Sequence, residues 1–171
     1  RLRELAPDGW IVAEKILEHG ERLPAEWPVD GTTGYEAAEL LGRWFVDAEG
    51  LQRLGDLRDR LVGPAPGGAQ LVADSKRLVL SDMLSADLNR ATDAFMNLCE
   101  SLRRCRDVTR HELHEILREV VVAYPVYRTY VAPGTTAGER DLALVATVIG
   151  GVTTARPELD AEVLDLLGSI L

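Results

Sequence analysis

Between Ala69 and Tyr124 the sequence contains neither glycine nor proline. Inside that stretch Leu84, Leu88, Ala91, Phe95, Leu98, Leu102 and Cys105 recur at alternating intervals of four and three, which lines them along one face of an α-helix. The spacing predicts an unbroken helix about 50 Å long. Its stripe reads as the core of a helical bundle; a coiled-coil seam for a partner is the alternative, but the flanking helices need that surface. Asp107-Val108 should interrupt the helix, because Thr109 and Glu112 have the spacing of a capping box. The helix after it is expected to bury Leu113, Ile116, Leu117, Val120 and Val121. Helical spacing also covers Glu36 to Val46 and Gly50 to Leu61, and Gly63-Pro64-Ala65-Pro66-Gly67-Gly68 ends it. Pro125 to Val131 reads as extended or turn-like, closed by Pro133-Gly134. Leu142 to Ile149 is apolar nearly all round, as in a central helix. Glu158 to Leu171 is amphipathic, with Leu159, Val163, Leu166, Leu167 and Ile170 expected inward.

At 171 residues the chain has room for one domain and little more. Its 46% hydrophobic and 27% charged residues allow a sizeable core. Twenty-eight acidic residues against 19 basic ones leave a net charge of −9, which argues against nucleic acid as a partner. No apolar run is long enough to cross a bilayer and no leader pattern precedes residue 10, so no membrane partner and a cytoplasmic location are expected. Cys99 and Cys105, six apart on one helix, would lie about 120° apart around it and form no local bridge. The start at Arg1 rather than Met suggests excision from a longer protein.

Before residue 36 the pattern differs. Trp10-Ile11-Val12-Ala13 is a short apolar run of the kind found in buried parallel strands. A single strand cannot satisfy its own N–H and C=O groups, so its neighbours are expected elsewhere. Residues 19–35 then form a long glycine- and proline-punctuated loop, in which Trp27, Tyr35, Asp30-Gly31 and Gly34 favour order.

Four features invite chemistry. His111 and His114 share a helix face, but the metalloprotease spacing puts the second histidine where Glu115 stands, so a solvated face is the plainer meaning and no metal is expected. Gly31-Thr32-Thr33-Gly34 lacks the lysine and spacing of a phosphate loop and reads as a turn. Arg128, Tyr127 and Tyr130 could approach a site, with packing the plainer role. Glu14, directly after the apolar run, is the pointed case, because parallel-barrel enzymes place catalytic groups at the C-terminal ends of strands; a salt-bridged surface glutamate is the alternative.

Three strings carry a resemblance. Val12 to Tyr35, with Val12-Ala13-Glu14-Lys15-Ile16-Leu17-Glu18, Gly20-Glu21, Leu23-Pro24, Trp27-Pro28-Val29 and Gly31-Thr32-Thr33-Gly34-Tyr35, resembles the maltooligosyltrehalose synthases of the α-amylase superfamily. So do Asp74-Ser75-Lys76-Arg77 and Tyr124-Pro125-Val126-Tyr127-Arg128-Thr129-Tyr130-Val131, in the family's order. The resemblance implies a (β/α)8-barrel glucosylmutase that needs no cofactor and turns the reducing-end α-1,4 bond of a maltooligosaccharide into an α,α-1,1 bond. It implies Glu14 as general acid/base, with the nucleophile and a second aspartate outside this chain. A retaining mechanism needs its two carboxyls about 5 Å apart, so Glu14 alone would be inert. In the loop, Lys15, Asp30, Thr32 and Thr33 are candidates to hydrogen-bond sugar hydroxyls, and Trp27 and Tyr35 to stack on sugar rings. Partners implied are the α-1,4-glucan substrate, the remainder of the barrel, and a companion maltooligosyltrehalose trehalohydrolase.

The expected fold is therefore mainly α: residues 1–35 are a strand-and-loop piece of a barrel, and residues 36–171 a helical insertion domain. A complete, non-catalytic helical interaction module is the reading from another class, and a hydrolase of the same superfamily a third.

Overall fold

The computed structural model describes residues 1–102, 105, 107–132 and 134–171. Among them are eight helices and two short strands, in the order α1 (Leu2–Leu5), β1 (Val12–Ala13), β2 (Gly31–Thr32), α2 (Tyr35–Trp44), α3 (Ala48–Val62), α4 (Gly68–Asp82), α5 (Ser85–Glu100), α6 (Arg110–Ala123), α7 (Glu139–Ala155) and α8 (Ala161–Ile170). The fold is mainly α, as the periodicity requires. The chain divides into two compact units, Arg1–Ala65 and Pro66–Leu171.

In the second unit α6 is the hub: α4, α5 and α7 all pack on it, and α8 packs on α7. Leu113 and Ile116 of α6 and Val163 and Leu164 of α8 are fully buried, with Phe95, Val120, Val145, Val148 and Val152 around them. Each such side chain contributes about 1.5–3 kcal/mol of transfer free energy. The capping box forms: the Thr109 hydroxyl accepts from Glu112 N–H at 3.2 Å, and Thr109 N–H donates to Glu112 Oε2 at 2.7 Å. The backbone N–H of Thr109, and then its hydroxyl, hold the Glu112 carboxyl below its ordinary range. Asp160 caps α8 through the N–H groups of Glu162 and Val163.

Several sequence expectations are corrected here. The long helix breaks at Met83-Leu84, where Leu84 leaves helical geometry at φ −107°, ψ 14°. The joint lets α4 and α5 fold over the same helix, and Leu80, Leu88 and Val122 cluster beneath it; a straight helix would leave one half without α6. Val122 is accordingly buried and Val121 exposed, while Leu117 is only partly covered. In α8, Leu164 is inward and Ile170 half-exposed, and in α7 Leu142 faces outward. Helix α5 ends at Glu100, after which Leu102 N–H bonds Cys99 C=O and Cys105 N–H bonds Leu102 C=O. The cysteines therefore do not share a helix, and both are buried and free. The expected stop at Pro133 lies outside the described residues.

The first unit is built differently. Strand β1 pairs in parallel with β2, Val12 opposite Gly31 and Ala13 opposite Thr32, flanked by the bonds Asp30 N–H to Ile11 C=O (2.7 Å) and Thr33 N–H to Ala13 C=O (3.1 Å). The sequence had offered one strand and a turn at 31–34; the second strand is two residues long and too short to show alternation. Trp10, read as part of a buried strand, is 80% exposed. Gly34 adopts φ +97°, a left-handed conformation that lets the chain turn from β2 directly into α2. Neither α2 nor α3 buries a residue, although both are amphipathic.

Candidate functional site

Glu14 stands directly after β1, on the same edge of the parallel pair as Thr33, which follows β2. This edge is the C-terminal end of both strands, the end where parallel α/β enzymes carry their chemistry. Glu14 is exposed, and no hydrogen bond or ion pair among the described residues engages its carboxylate. Thr33 presents an exposed side chain beside it, with its N–H committed to Ala13.

The other candidates fall into two groups. The Lys15 side chain is only 9% exposed, and its ammonium donates to Glu21 Oε2 at 2.7 Å and to Ile16 C=O at 2.9 Å. The Thr32 hydroxyl donates to Glu36 Oε2 at 2.7 Å and accepts from Gly34 N–H at 3.2 Å, tying the end of β2 to the first turn of α2. Asp30 lies at the N-terminal end of the strand pair, away from Glu14. Its Oδ2 accepts from Ile11 N–H and from Arg3 Nη2, each at 2.8 Å. The Ile11 N–H first, and the Arg3 guanidinium second, hold its carboxyl below the ordinary range. Asp30 and Thr32 thus brace the strands, and Lys15 closes the loop that follows β1. Trp27 is half-buried after a turn from Pro24, and Tyr35 is half-exposed at the start of α2.

Two participants had no local signature. Arg3 donates to Gly9 C=O (2.6 Å), Pro28 C=O (3.2 Å) and Asp30, gathering the segments before both strands. Glu21 closes the loop after Glu14. Each pairs across an irregular segment, where no periodicity announces a partner.

The helical strings meet in the second unit. The Lys76 ammonium donates to the carbonyls of Tyr124 (2.6 Å) and Val122 (3.3 Å) at the C-terminus of α6, a favourable place for a cation. Arg77 binds Glu119 Oε2 at 2.8 Å. The Arg128 guanidinium stacks 5.2 Å from the Tyr130 ring centroid, and Tyr127 is exposed. An apolar groove of about 690 Å³ beside them, lined by Leu71, Val79, Leu80, Val121, Tyr124 and Tyr127, does not include Glu14. Among the described residues no cluster of His, Cys, Asp and Glu could hold a metal ion, and no helix is long and apolar enough to cross a membrane.

Comparison with known proteins bears on this edge. No family model matches the chain. Over 124 residues, 72% of its length, it is 33% identical to proteins of two strains of Mycobacterium tuberculosis, each named "Putative maltooligosyl trehalose synthase". The chain resembles one segment of the maltooligosyltrehalose synthases. It spans 15% of the length of those relatives. The structure of DSM5389 glycosyltrehalose synthase superposes on 95% of this chain with a TM-score of 0.63 and 26% identity, over 19% of its own length. The resemblance covers both the parallel-strand unit and the helices.

Proposed function

We propose that this chain is the part of a maltooligosyltrehalose synthase that carries the general acid/base, Glu14, together with a helical insertion domain. On this reading residues 1–35 are the strand-and-loop piece of a (β/α)8 barrel and residues 36–171 the insertion. The observation that carries it is the position of Glu14: an unengaged carboxylate at the C-terminal edge of two parallel strands, in a chain that spans 15% of the length of related synthases. The distribution of burial supports it too. Among the described residues every buried apolar side chain of the core belongs to the second unit, while Trp10, Leu40, Trp44, Phe45, Leu54 and Leu61 of the first are exposed, as expected of surface that further polypeptide covers.

In the intact enzyme Glu14 protonates the glycosidic oxygen as the reducing-end glucose leaves, then takes the proton from that glucose's 1-hydroxyl as it returns to the covalent intermediate. The nucleophile comes from polypeptide outside this chain. Trp27, Tyr35 and Thr33 face the acceptor sugar, while Thr32 braces that edge, Asp30 the opposite end of the strands, and Lys15 the loop after Glu14. The product is a maltooligosyl trehalose, consumed by a companion trehalohydrolase in the cytoplasm.

The test uses a full-length synthase containing this chain. Replacing Glu14 by Gln should abolish nearly all turnover of maltopentaose and leave glucan binding measurable. The 171-residue chain by itself should form no α,α-1,1-linked product; its appearance, or a Glu14→Gln enzyme of ordinary rate, would refute the proposal.

A further inference from the structure

The residues on either side of Glu14 are both anchored. Before it, the Ala13 carbonyl accepts from Thr33 N–H at 3.1 Å. After it, the Lys15 ammonium is buried against Glu21 Oε2 and the Ile16 carbonyl. The same Glu21 oxygen accepts from Glu18 N–H at 2.9 Å, and Glu21 N–H returns to Glu18 C=O at 2.9 Å. Residues 15–21 thus close on themselves around one ion pair whose side chains are 9% and 7% exposed.

Taking two charges out of water is costly, and a surface loop would hold its shape more cheaply with a backbone turn and apolar contacts. A general acid/base makes a particular demand here. It must sit within a fraction of an ångström of its position, yet its carboxylate must stay free to exchange a proton with substrate. An anchor on the adjacent residue meets both conditions, because it fixes the main chain and leaves the carboxylate alone. We infer that Lys15 and Glu21 are positioning residues for Glu14, their ion pair holding the chain that leaves β1, and that Lys15 does not bind sugar. This rests on the reading of Glu14 as the acid/base.

Four proteins decide it: full-length synthase unmodified, Glu14→Gln, Lys15→Met, and the double variant Lys15→Met/Glu21→Leu. Lys15→Met should lower kcat about 10- to 100-fold with KM within about twofold. The double variant, which removes both charges of the pair, should match the thermal midpoint of the unmodified enzyme but not its kcat. A raised KM at ordinary kcat would put Lys15 on the sugar and overturn the inference. Recovery of kcat together with the midpoint would reduce the pair to a stabilising element and also overturn it. Glu14→Gln with full turnover would instead overturn the assignment of Glu14, a result the Lys15 variants do not produce. In the 171-residue chain, Lys15→Met should speed amide exchange at Glu18 and Glu21 by about tenfold or more; unchanged exchange would remove the anchor.

Discussion

Glu119 is the polar centre of the helical unit, and its replacement by Gln is the sharpest test of how that unit holds together. Its side chain is 4% exposed. Arg77 of α4 reaches it at 2.8 Å, Arg118 of α6 at 3.2 Å, and Arg156, at the end of α7, at 3.1 Å. One carboxylate therefore ties three helices. Burial by itself would push its carboxyl up; the hydrogen bond and charge of Arg77, then Arg118 and Arg156, prevail and hold it below the ordinary range. Glutamine keeps the shape and one acceptor but leaves three guanidiniums sharing no anion. Removing one member of a buried pair costs about 3–5 kcal/mol. The arginines are roughly a third exposed, and each keeps a second acid in Asp74, Glu115 or Glu158, so a loss of about 2 kcal/mol is expected. For a unit of this size that lowers the thermal midpoint by roughly 10 °C, read by circular dichroism of the 171-residue chain at neutral pH. The acid limb gives the sign. Because the folded carboxyl titrates below its unfolded value, near 4.3, the contribution is complete above that pH and fades as pH falls through the folded value. The midpoint difference between native and Glu119→Gln proteins should therefore shrink below about pH 4. A midpoint moved by less than about 3 °C, or a difference of the same size at pH 3 and pH 7, would refute the reasoning.

Ile116→Ala, at a fully buried position on the hub helix, should cost about 2–5 kcal/mol in urea unfolding; a loss under about 1 kcal/mol would mean that α6 does not centre the core. Burial first, and the neighbouring Cys105 second, push the Cys99 thiol up to about 11. Cys105 is buried as well, so both thiols should be shielded from Ellman's reagent at pH 8 in the folded chain and react fully in guanidinium, and prompt reaction of the folded chain would contradict that burial.

What the sequence disclosed and what it hid separate along physical lines. The capping box at Thr109 and Glu112 was legible because both its members lie within four residues. Helices α2, α3 and α6 were legible because period and stop signals agreed. The joint at Met83-Leu84 was not, since neither residue breaks a helix; the gain from laying α4 and α5 on a common hub decides it, and that gain is spread over distant residues such as Val122. Strand β2 was missed because a parallel pair two residues long draws its order from a partner 19 positions away. Glu14 is singled out by its place after an apolar run and by resemblance, whereas the Lys15–Glu21 pair is visible only in the structure.

The three strings that carry the resemblance are not equivalent once their contacts are known. Lys76 holds the chain as it leaves α6 at Tyr124, so the string 74–77 and the string 124–131 are two halves of one arrangement. Arg77 reaches the same helix through Glu119. Their joint work is to fix the end of α6 and the direction of the segment that presents Tyr127 and the stacked Arg128 and Tyr130. None of these contacts requires a sugar. The first string differs: it puts two adjacent residues to opposite uses, Lys15 buried and paired, Glu14 exposed and uncommitted. A carboxylate kept free beside a cation with a partner of its own is an arrangement that stability does not require.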